Sequence, residues 1–261
     1  MKASNRPRAR ALALLILAPL TSAAAPQEDA TEANTDGAVH IDPRADRILW
    51  SMSKHLAAAT SFQVHGETVK DEPHPSGQWV EVSHSSDVAV HRELGIRSTV
   101  HGDVQNREFW SDLQTAAMLD PDSGLYALVE VPNTLDGTLD HLIDEYGVSL
   151  PLADLAYSDP YLGLIEGVEV GSYVGLNKAG GVTCHHLAFR QAAVDWQIWI
   201  DAGLRPVPRK VLITYKQIQG APRVAVNLSD WKFDTFLPEV LFQFEAPEGS
   251  EQIAIESVRK D

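Results

Sequence analysis

Cysteine, positive charge and long apolar runs are all scarce in this chain. Its 261 residues include one cysteine, which excludes an internal disulfide. The 21 Lys and Arg residues are outnumbered by 36 Asp and Glu residues, and the resulting net charge of −15 repels nucleic acid and anionic membrane surfaces. The apolar run at residues 11–20 is roughly half the length of a transmembrane helix. The composition therefore predicts no nucleic-acid partner and no integral membrane protein once the N-terminal segment is removed.

The N-terminal segment has the composition of an export signal. Four basic residues among the first ten precede the apolar run, and the small residues "TSAAA" follow it. This order of basic, apolar and small residues is typical of a cleavable signal peptide, which we place at residues 1–25. A signal that persists as a membrane anchor is the alternative that the pattern leaves open.

The remaining chain divides by composition. Residues 26–39 are acidic and lack large apolar side chains, so they cannot bury enough surface to offset chain entropy, and they predict a disordered leader. Residues 40–255 have the length of a single all-β domain, with a helical insertion at residues 133–166. Residues 256–261 form a short tail.

Two segments have the periodicity of helices. The segment "DPRADRILWSMSKHLAAAT" (42–60) starts with a capping Asp42 and with Pro43, which suits the first helical position. In the second segment, residues 133–147, apolar residues fall on one face and Gly147 ends the helix. Both segments carry an apolar stripe that must be buried against another element.

Most of the other residues form short runs separated by turn signals, which predicts an antiparallel meander. Among the candidate strands are residues 78–84, 86–92 and 241–245. About a dozen strands are too many for a flat open sheet. We therefore predict a mainly β (α+β) fold, in which a strongly curved antiparallel sheet, or half-open barrel, has helices covering its concave side.

The stretch "GVTCHHLAFRQAAVDWQIWID" holds the only cysteine beside two histidines, and it is the first candidate for a metal or catalytic site. In a strand, Cys184 and His186 point to one face and His185 to the other, so adjacent residues cannot converge on one metal ion. A nucleophilic Cys/His pair needs facing side chains and an orienting third group. We interpret Cys184 as a small buried apolar residue.

Other patterns that carry chemistry are weak or missing. The ten histidines are scattered and form no H-E-x-x-H motif. His91 and His101 are the pair whose convergence with a carboxylate would favour an enzyme. No Walker motif and no G-x-S-x-G motif occurs. We predict no catalytic residue, no metal site and no cofactor.

Apolar side chains therefore dominate the search for a site. If the helices fill the concave side of the sheet, the interior is simply a core. If they fill it incompletely, an apolar pocket remains. The sequence leaves both open. As cavity-wall candidates we take Trp79, Trp110, Trp196 and Leu139.

Several long segments resemble a known family of predicted bacterial periplasmic proteins, domain of unknown function 2092. They include "IDPRADRILWSMSKHLAAATSF", "YGVSLPLADLAYSDPY", "VGLNKAGGVTCHHLAFRQAAVDWQIWID" and "LPEVLFQFEAPEGSEQI". The resemblance spans residues 41–253. It implies a LolA/LolB-like architecture, a half-open β-barrel around helices, whose members bind acyl chains in an apolar cavity. It assigns no activity to the family.

The expected function is a periplasmic, non-enzymatic protein that binds a lipid or another hydrophobic molecule as carrier or sensor. Its partner would be a hydrophobic small molecule or an acyl chain, and an envelope protein is a further candidate. The alternative is a protein-interaction module of the cell envelope with a filled core. The volume and lining of any cavity distinguish the two.

Overall fold

The computed structural model describes residues 39–148 and 152–258. The predicted signal peptide and residues 26–38 of the predicted leader lie outside these described residues. Three α-helices are present in the described part: α1 (Pro43–Ala58), α2 (Leu135–Tyr146) and α3 (Pro160–Ile165). Two 3-10 helices, Ala153–Leu155 and Glu239–Phe242, complete the helical elements there. Within the described ranges, no helix is long and apolar enough to cross a membrane.

The remaining elements are strands of one sheet, and their bounds are as follows: β1 His40–Ile41, β2 Ser61–Pro73, β3 Trp79–His91, β4 Gly95–Gly102, β5 Arg107–Ser111, β6 Thr115–Asp120, β7 Leu125–Glu130, β8 Val168–Ala179, β9 Val182–Gln191, β10 Val194–Asp201, β11 Pro208–Tyr215, β12 Arg223–Phe233 and β13 Glu251–Gln252. The thirteen strands have the order β1-β8-β9-β10-β11-β12-β2-β3-β4-β5-β6-β7-β13. The sheet is curved and unclosed, and this confirms the predicted mostly β, half-open architecture.

The helix ends follow from local sequence. The Asp42 side chain accepts a hydrogen bond from the Arg44 backbone N–H at 2.7 Å, and Pro43 occupies the first position of α1. Thr134 caps α2 by accepting from the Gly137 N–H. Gly147 ends α2 in the left-handed region, at φ 62°, where glycine has no steric penalty. The caps thus fix where each amphipathic face begins and stops.

Two strand predictions were wrong. Residues 78–84 and 86–92 belong to one strand, β3, because the polar residues at its centre pair without interruption with β2 on one side and β4 on the other. Residues 241–245 do not form a strand, since a 3-10 helix follows Pro238 and buries Phe242. In both cases tertiary pairing and packing override a local sequence signal.

The concave face of the sheet has two unlike halves. Helices α1 and α3 pack on each other, and α1 packs on β8 and β10. Their apolar residues join those of the strands in one continuous core. The other half of the concave face, from β12 through β2 to β6, lies beneath Leu139 of α2 and residues 152–156. The first half is filled, whereas the second is not.

The convex face is crossed by the C-terminal strap, which we define as residues 234–258. Phe242 of the strap packs on Ala89, and Phe244 lies 5.1 Å from the ring of Trp110. Farther on, β13 adds to the edge of β7 as a short parallel strand. At the opposite edge, β1 covers β8 in the same way. Both outer edges of the sheet thus carry a covering segment.

Candidate functional site

An apolar cavity of about 190 Å³ lies between the concave face of the sheet and the segment that follows α2. Its walls come from β2, β3, β4, β5, β6 and β12, and its cover comes from α2 and residues 152–156. The lining residues are Phe62, Val64, Gly66, Thr68, His84, Ser86, Val88, Val90, Ile96, Ser98, Val100, Arg107, Phe109, Met118, Leu139, Leu152, Ala153, Leu155, Ala156, Val226, Leu228 and Trp231. The concave face is therefore packed incompletely in this half, which was one of the two alternatives.

The cavity has a sealed end and an open end. Phe62, Val90 and Leu139 form the sealed end, and all three are buried. At the other end, Arg107 is exposed, and His84 also borders a shallow groove on the surface. Apolarity thus decreases from the closed interior toward the solvent.

The cavity is long and narrow. On β2 its lining runs from Phe62 to Thr68, and six steps of about 3.3 Å give a length of about 20 Å. A cavity of 190 Å³ that extends over this length has room for one chain and not for several side by side. Half of the bilayer's hydrocarbon core, about 15 Å, is the length of one acyl chain, so part of a single chain can lie along this wall.

Small residues create this space at the centre of the wall. Gly66, Ser86 and Ser98 lie on three adjacent strands and all face the cavity. A Cβ atom at Gly66 would lie 2.9 Å from the Ser86 Oγ, so a larger residue at Gly66 would occupy the wall itself. A row of larger apolar residues here would fill the cavity and convert it into core.

Arg92 connects several backbone segments beside the sealed end of the cavity. Its guanidinium donates to the backbone carbonyls of Leu56 and Ala59 at 2.9 Å, at the C-terminal end of α1. It also donates to the carbonyls of Ala156 and Tyr157, at 3.1 and 3.2 Å. Because Ala156 lines the cavity, Arg92 links the covering segment to both the sheet and α1.

The four predicted wall residues are in different environments. Leu139 is fully buried and lines the sealed end of the cavity. Trp196 faces the same side of the sheet, but it lies in the filled half, stacked on Phe189 at 4.3 Å and only 1% exposed. The structure therefore places Leu139 at the cavity and Trp196 in the core next to it.

The other two tryptophans lie away from the cavity. Trp110 is adjacent to the lining residue Phe109 on β5 and so points to the convex face, where Phe244 of the C-terminal strap covers it. Trp79 is 39% exposed at the start of β3 and lies against Gly220. Strand alternation, rather than apolar size, decides which side chains reach the cavity. Ligand binding by any of the four stays a prediction.

The cysteine and histidine stretch forms no converging site. Cys184 is fully buried, and burial raises the pKa of its thiol, which disfavours a nucleophilic thiolate. The His186 ring stacks on Trp199 at 4.0 Å and pairs with Gln197, whereas His185 pairs with the Tyr173 hydroxyl at 3.2 Å. The two imidazoles thus have separate partners on opposite faces.

The histidine pair that would favour an enzyme does not meet. In the pairing of β3 with β4, His91 lies opposite Gly95 and His101 lies opposite Ser85. Ser85 and His91 are six residues apart on β3, so the two histidines are separated by about 20 Å. In the described ranges, no three His, Cys, Asp or Glu side chains are grouped so that they could hold a metal ion. The 190 Å³ cavity is a mainly apolar pocket of the described residues, and it is the candidate ligand site.

Sequence reasoning missed the polar residues of the cavity mouth, His84 and Arg107. The signal was available in part, because Arg107 shares its face of β5 with Phe109. The adjacent Trp110 made the opposite face look equally apolar. Burial lowers the pKa of His84, with a further contribution from the charge of Lys70, so its imidazole is neutral near pH 7.

A curved, unclosed sheet with a ligand-sized apolar cavity beneath its helical cover makes this protein a mostly β, half-open barrel with an internal cavity. The chain belongs to the family described as predicted periplasmic protein (DUF2092), whose model matches residues 45–256. No curated protein matches the chain in sequence.

Several solved structures are similar in fold. The lipoprotein LppX of Mycobacterium tuberculosis is 15% identical, with 73% of this chain and 96% of LppX covered and a TM-score of 0.46. A LolA superfamily protein of Nitrosomonas europaea is 12% identical, with 77% and 97% covered and a TM-score of 0.39. The MucA/MucB complex of Pseudomonas aeruginosa contains a chain 14% identical, with 78% and 62% covered and a TM-score of 0.40. Identities this low leave the function to be argued from the chain's own residues.

Proposed function

We propose that this protein is a non-enzymatic periplasmic carrier or sensor that binds the hydrocarbon portion of a lipid or another hydrophobic molecule. It would reach the periplasm through a cleaved signal peptide at residues 1–25. The single observation that carries the proposal is the apolar cavity, closed at one end and open at the other. The ligand would enter with its apolar end first, through the mouth beside Arg107.

Binding in this site requires no covalent chemistry. Each methylene that moves from water into an apolar cavity contributes about 0.8 kcal/mol. A dry apolar cavity of about 150 Å³ accommodates a benzene-sized ligand in proteins, and this cavity, at 190 Å³, is larger. The filled-core interaction module is the weaker alternative, because it requires that no such space remain. An envelope-protein partner for the surface stays a second, separate possibility for a sensor.

The test uses two serines that are neighbours in sequence but face opposite sides of β3. Ser86 faces the cavity at its centre, and Ser85 faces away from it. Delipidated protein is titrated with the neutral fluorescent probe N-phenyl-1-naphthylamine, and bound probe is displaced with decanol. We expect Ser86→Phe to weaken both binding events at least about tenfold, because the ring occupies the space of the chain. Ser85→Phe serves as the matched control and should bind like the wild type.

Ser98→Phe blocks the same space from β4 and guards against an effect peculiar to one site. Circular dichroism verifies that each variant is folded. Equal probe affinity in the wild type and in folded variants with a blocked cavity would refute the proposal, as would the absence of any probe or decanol uptake by the wild type.

A further inference from the structure

The charge balance of the residues that line the cavity is opposite to that of the whole chain. The protein has 36 acidic and 21 basic residues, yet the described lining contains one arginine, one histidine and no carboxylate. Both Arg107 and His84 lie at the open end, and the described side chains that line the sealed end are apolar. A cation at the mouth of an apolar cavity is the arrangement that complements an amphiphile with an anionic head.

The guanidinium of Arg107 is available for such a head group. Among the described residues it donates to the Met118 Sδ, at 3.0 Å from Nη1, and a thioether is a weak acceptor. No carboxylate of the described chain lies within ion-pair distance of Arg107. The charge of Arg107 affects the carboxylate of Asp120 without forming an ion pair with it. The pKa of Asp120 is lowered chiefly by the Ser123 backbone N–H and to a smaller extent by the charge of Arg107. The donors of Arg107 are therefore not consumed by an internal ion pair.

His84 supplies a second polar contact on the adjacent wall. It is opposite Thr68 on β2 and Gly102 on β4, and it is half-buried at the boundary between the cavity and the surface groove. A neutral imidazole can donate one N–H to an anion without adding charge. Lys70, the nearest cation on β2, is already paired with Glu72. Arg107 thus provides the positive charge in the described cavity lining, and His84 with Thr68 provides neutral donors, whereas the carboxylates of Glu67 and Asp103 line the adjoining surface groove.

We infer that the physiological ligand is a single-chain amphiphile with an anionic head group, held with its chain in the cavity and its head at Arg107 and His84. This inference rests on the proposed function and narrows it to a ligand class. The volume of the cavity leaves room for one chain, and the arginine at its mouth favours a negatively charged head. A carboxylate and a phosphate ester share this chemistry, and the choice between them is an outcome of the test.

The experiment compares four ligands with the same ten-carbon chain, namely decanol, decanoate, decyl phosphate and decylammonium, by calorimetric titration at low salt. The wild type should bind at least one of the two anions about tenfold more tightly than decanol, since hydrogen bonds to charged groups are the strong ones. It should bind decylammonium more weakly than decanol. The anion with the higher affinity identifies the head group as carboxylate or phosphate.

Two variants separate a local contact from the effect of net charge. Arg107→Gln should lower the ratio of anion to decanol affinity to about one, because the charged donor is lost while the apolar wall remains. Arg190→Gln changes the net charge equally on an exposed residue of β9, outside the cavity, and should keep the wild-type ratio. Raising the salt concentration should reduce the ratio in the wild type and in Arg190→Gln alike.

Three outcomes overturn the inference while leaving the proposed function intact. They are equal affinity of the wild type for decanol and both anions, a preference for decylammonium, and an Arg107→Gln variant that retains the full anion preference. Failure of the wild type to bind any of the four ligands overturns the proposed function itself. Decanol binding is thus the readout that keeps the two failures distinguishable.

Discussion

Arg92 shows how one residue can hold three parts of the fold together. Arg92 directly follows β3. Its guanidinium donates to carbonyls at the C-terminal end of α1 and in the segment after the 3-10 helix Ala153–Leu155. These carbonyls lie where helical hydrogen bonding ends, so they need external donors. A planar group with several fixed donors satisfies them together, whereas a lysine ammonium reaches fewer.

We therefore expect Arg92→Met to lower the free energy of unfolding by about 2–4 kcal/mol, because several carbonyls lose a charged donor. Arg92→Lys should be intermediate, since it keeps the charge but not the fork of donors. Urea unfolding followed by circular dichroism measures the difference. If the midpoint of Arg92→Met coincided with that of the wild type, the hydrogen bonds of Arg92 would not stabilise the fold.

The lining of the cavity was only partly predictable at the residue scale. Leu139 could be found because a helical stripe of leucines identifies its buried face. The tryptophans could not be placed by size, since Trp110 and Phe109 are adjacent apolar residues on opposite faces of β5. A better signal was the smallness of Gly66, Ser86 and Ser98, but it has meaning only once the strand register aligns them.

At the scale of elements, the edges of the open sheet are the vulnerable feature. An unpaired edge strand offers backbone donors and acceptors to another chain. Here β13 pairs with β7, with the Glu251 N–H donating to Gly124 O and the Ile253 N–H to Tyr126 O. Farther along the strap, the Val258 N–H donates to Glu145 O near the end of α2. The strap therefore covers the edge and also contacts the helix that carries Leu139.

Two truncations separate these roles. Removal of residues 250–261 deletes β13 and should expose the β7 edge, so that concentration-dependent larger species form that the full-length chain does not show. Removal of residues 257–261 keeps β13 and loses the described contact with α2, so its oligomeric state should match that of the full-length chain. Light scattering coupled to size-exclusion chromatography measures both. Identical profiles for all three chains would show that β13 does not protect the edge.

At the scale of the whole molecule, stability and function divide between the two halves of the concave face. The half beneath α1 and α3 contains large buried side chains such as Trp196, Ile198 and Leu187, and it stabilises the fold without a ligand. The half beneath α2 and residues 152–156 retains empty space. An occupant there would contact both the sheet and the helical cover, so binding and folding are coupled.

A ligand at one hundred times its dissociation constant stabilises the folded state by about 2.7 kcal/mol. For a domain of this size, each kcal/mol raises Tm by about 2–4 °C, so decanol at that excess should raise Tm by about 5–10 °C. Differential scanning calorimetry checks this. At the same decanol concentration the shift should fall to about half or less in Ser86→Phe, because affinity at least about tenfold lower leaves about 1.4 kcal/mol of stabilisation or less. An equal shift in that variant would mean that decanol binds outside the cavity.

The sequence by itself determined the element types and the broad architecture. Caps at Asp42 and Gly147, helical stripes and short alternating runs are local signals, and they predicted a curved, half-open sheet with helices on one side. It also fixed the charge, and the family follows from segments along nearly the whole chain. Only the tertiary structure decided that β3 is unbroken and which half of the concave face stays unfilled. It also decided that Arg107 and His84 share one mouth, because these features depend on register and on contacts between residues far apart in the chain.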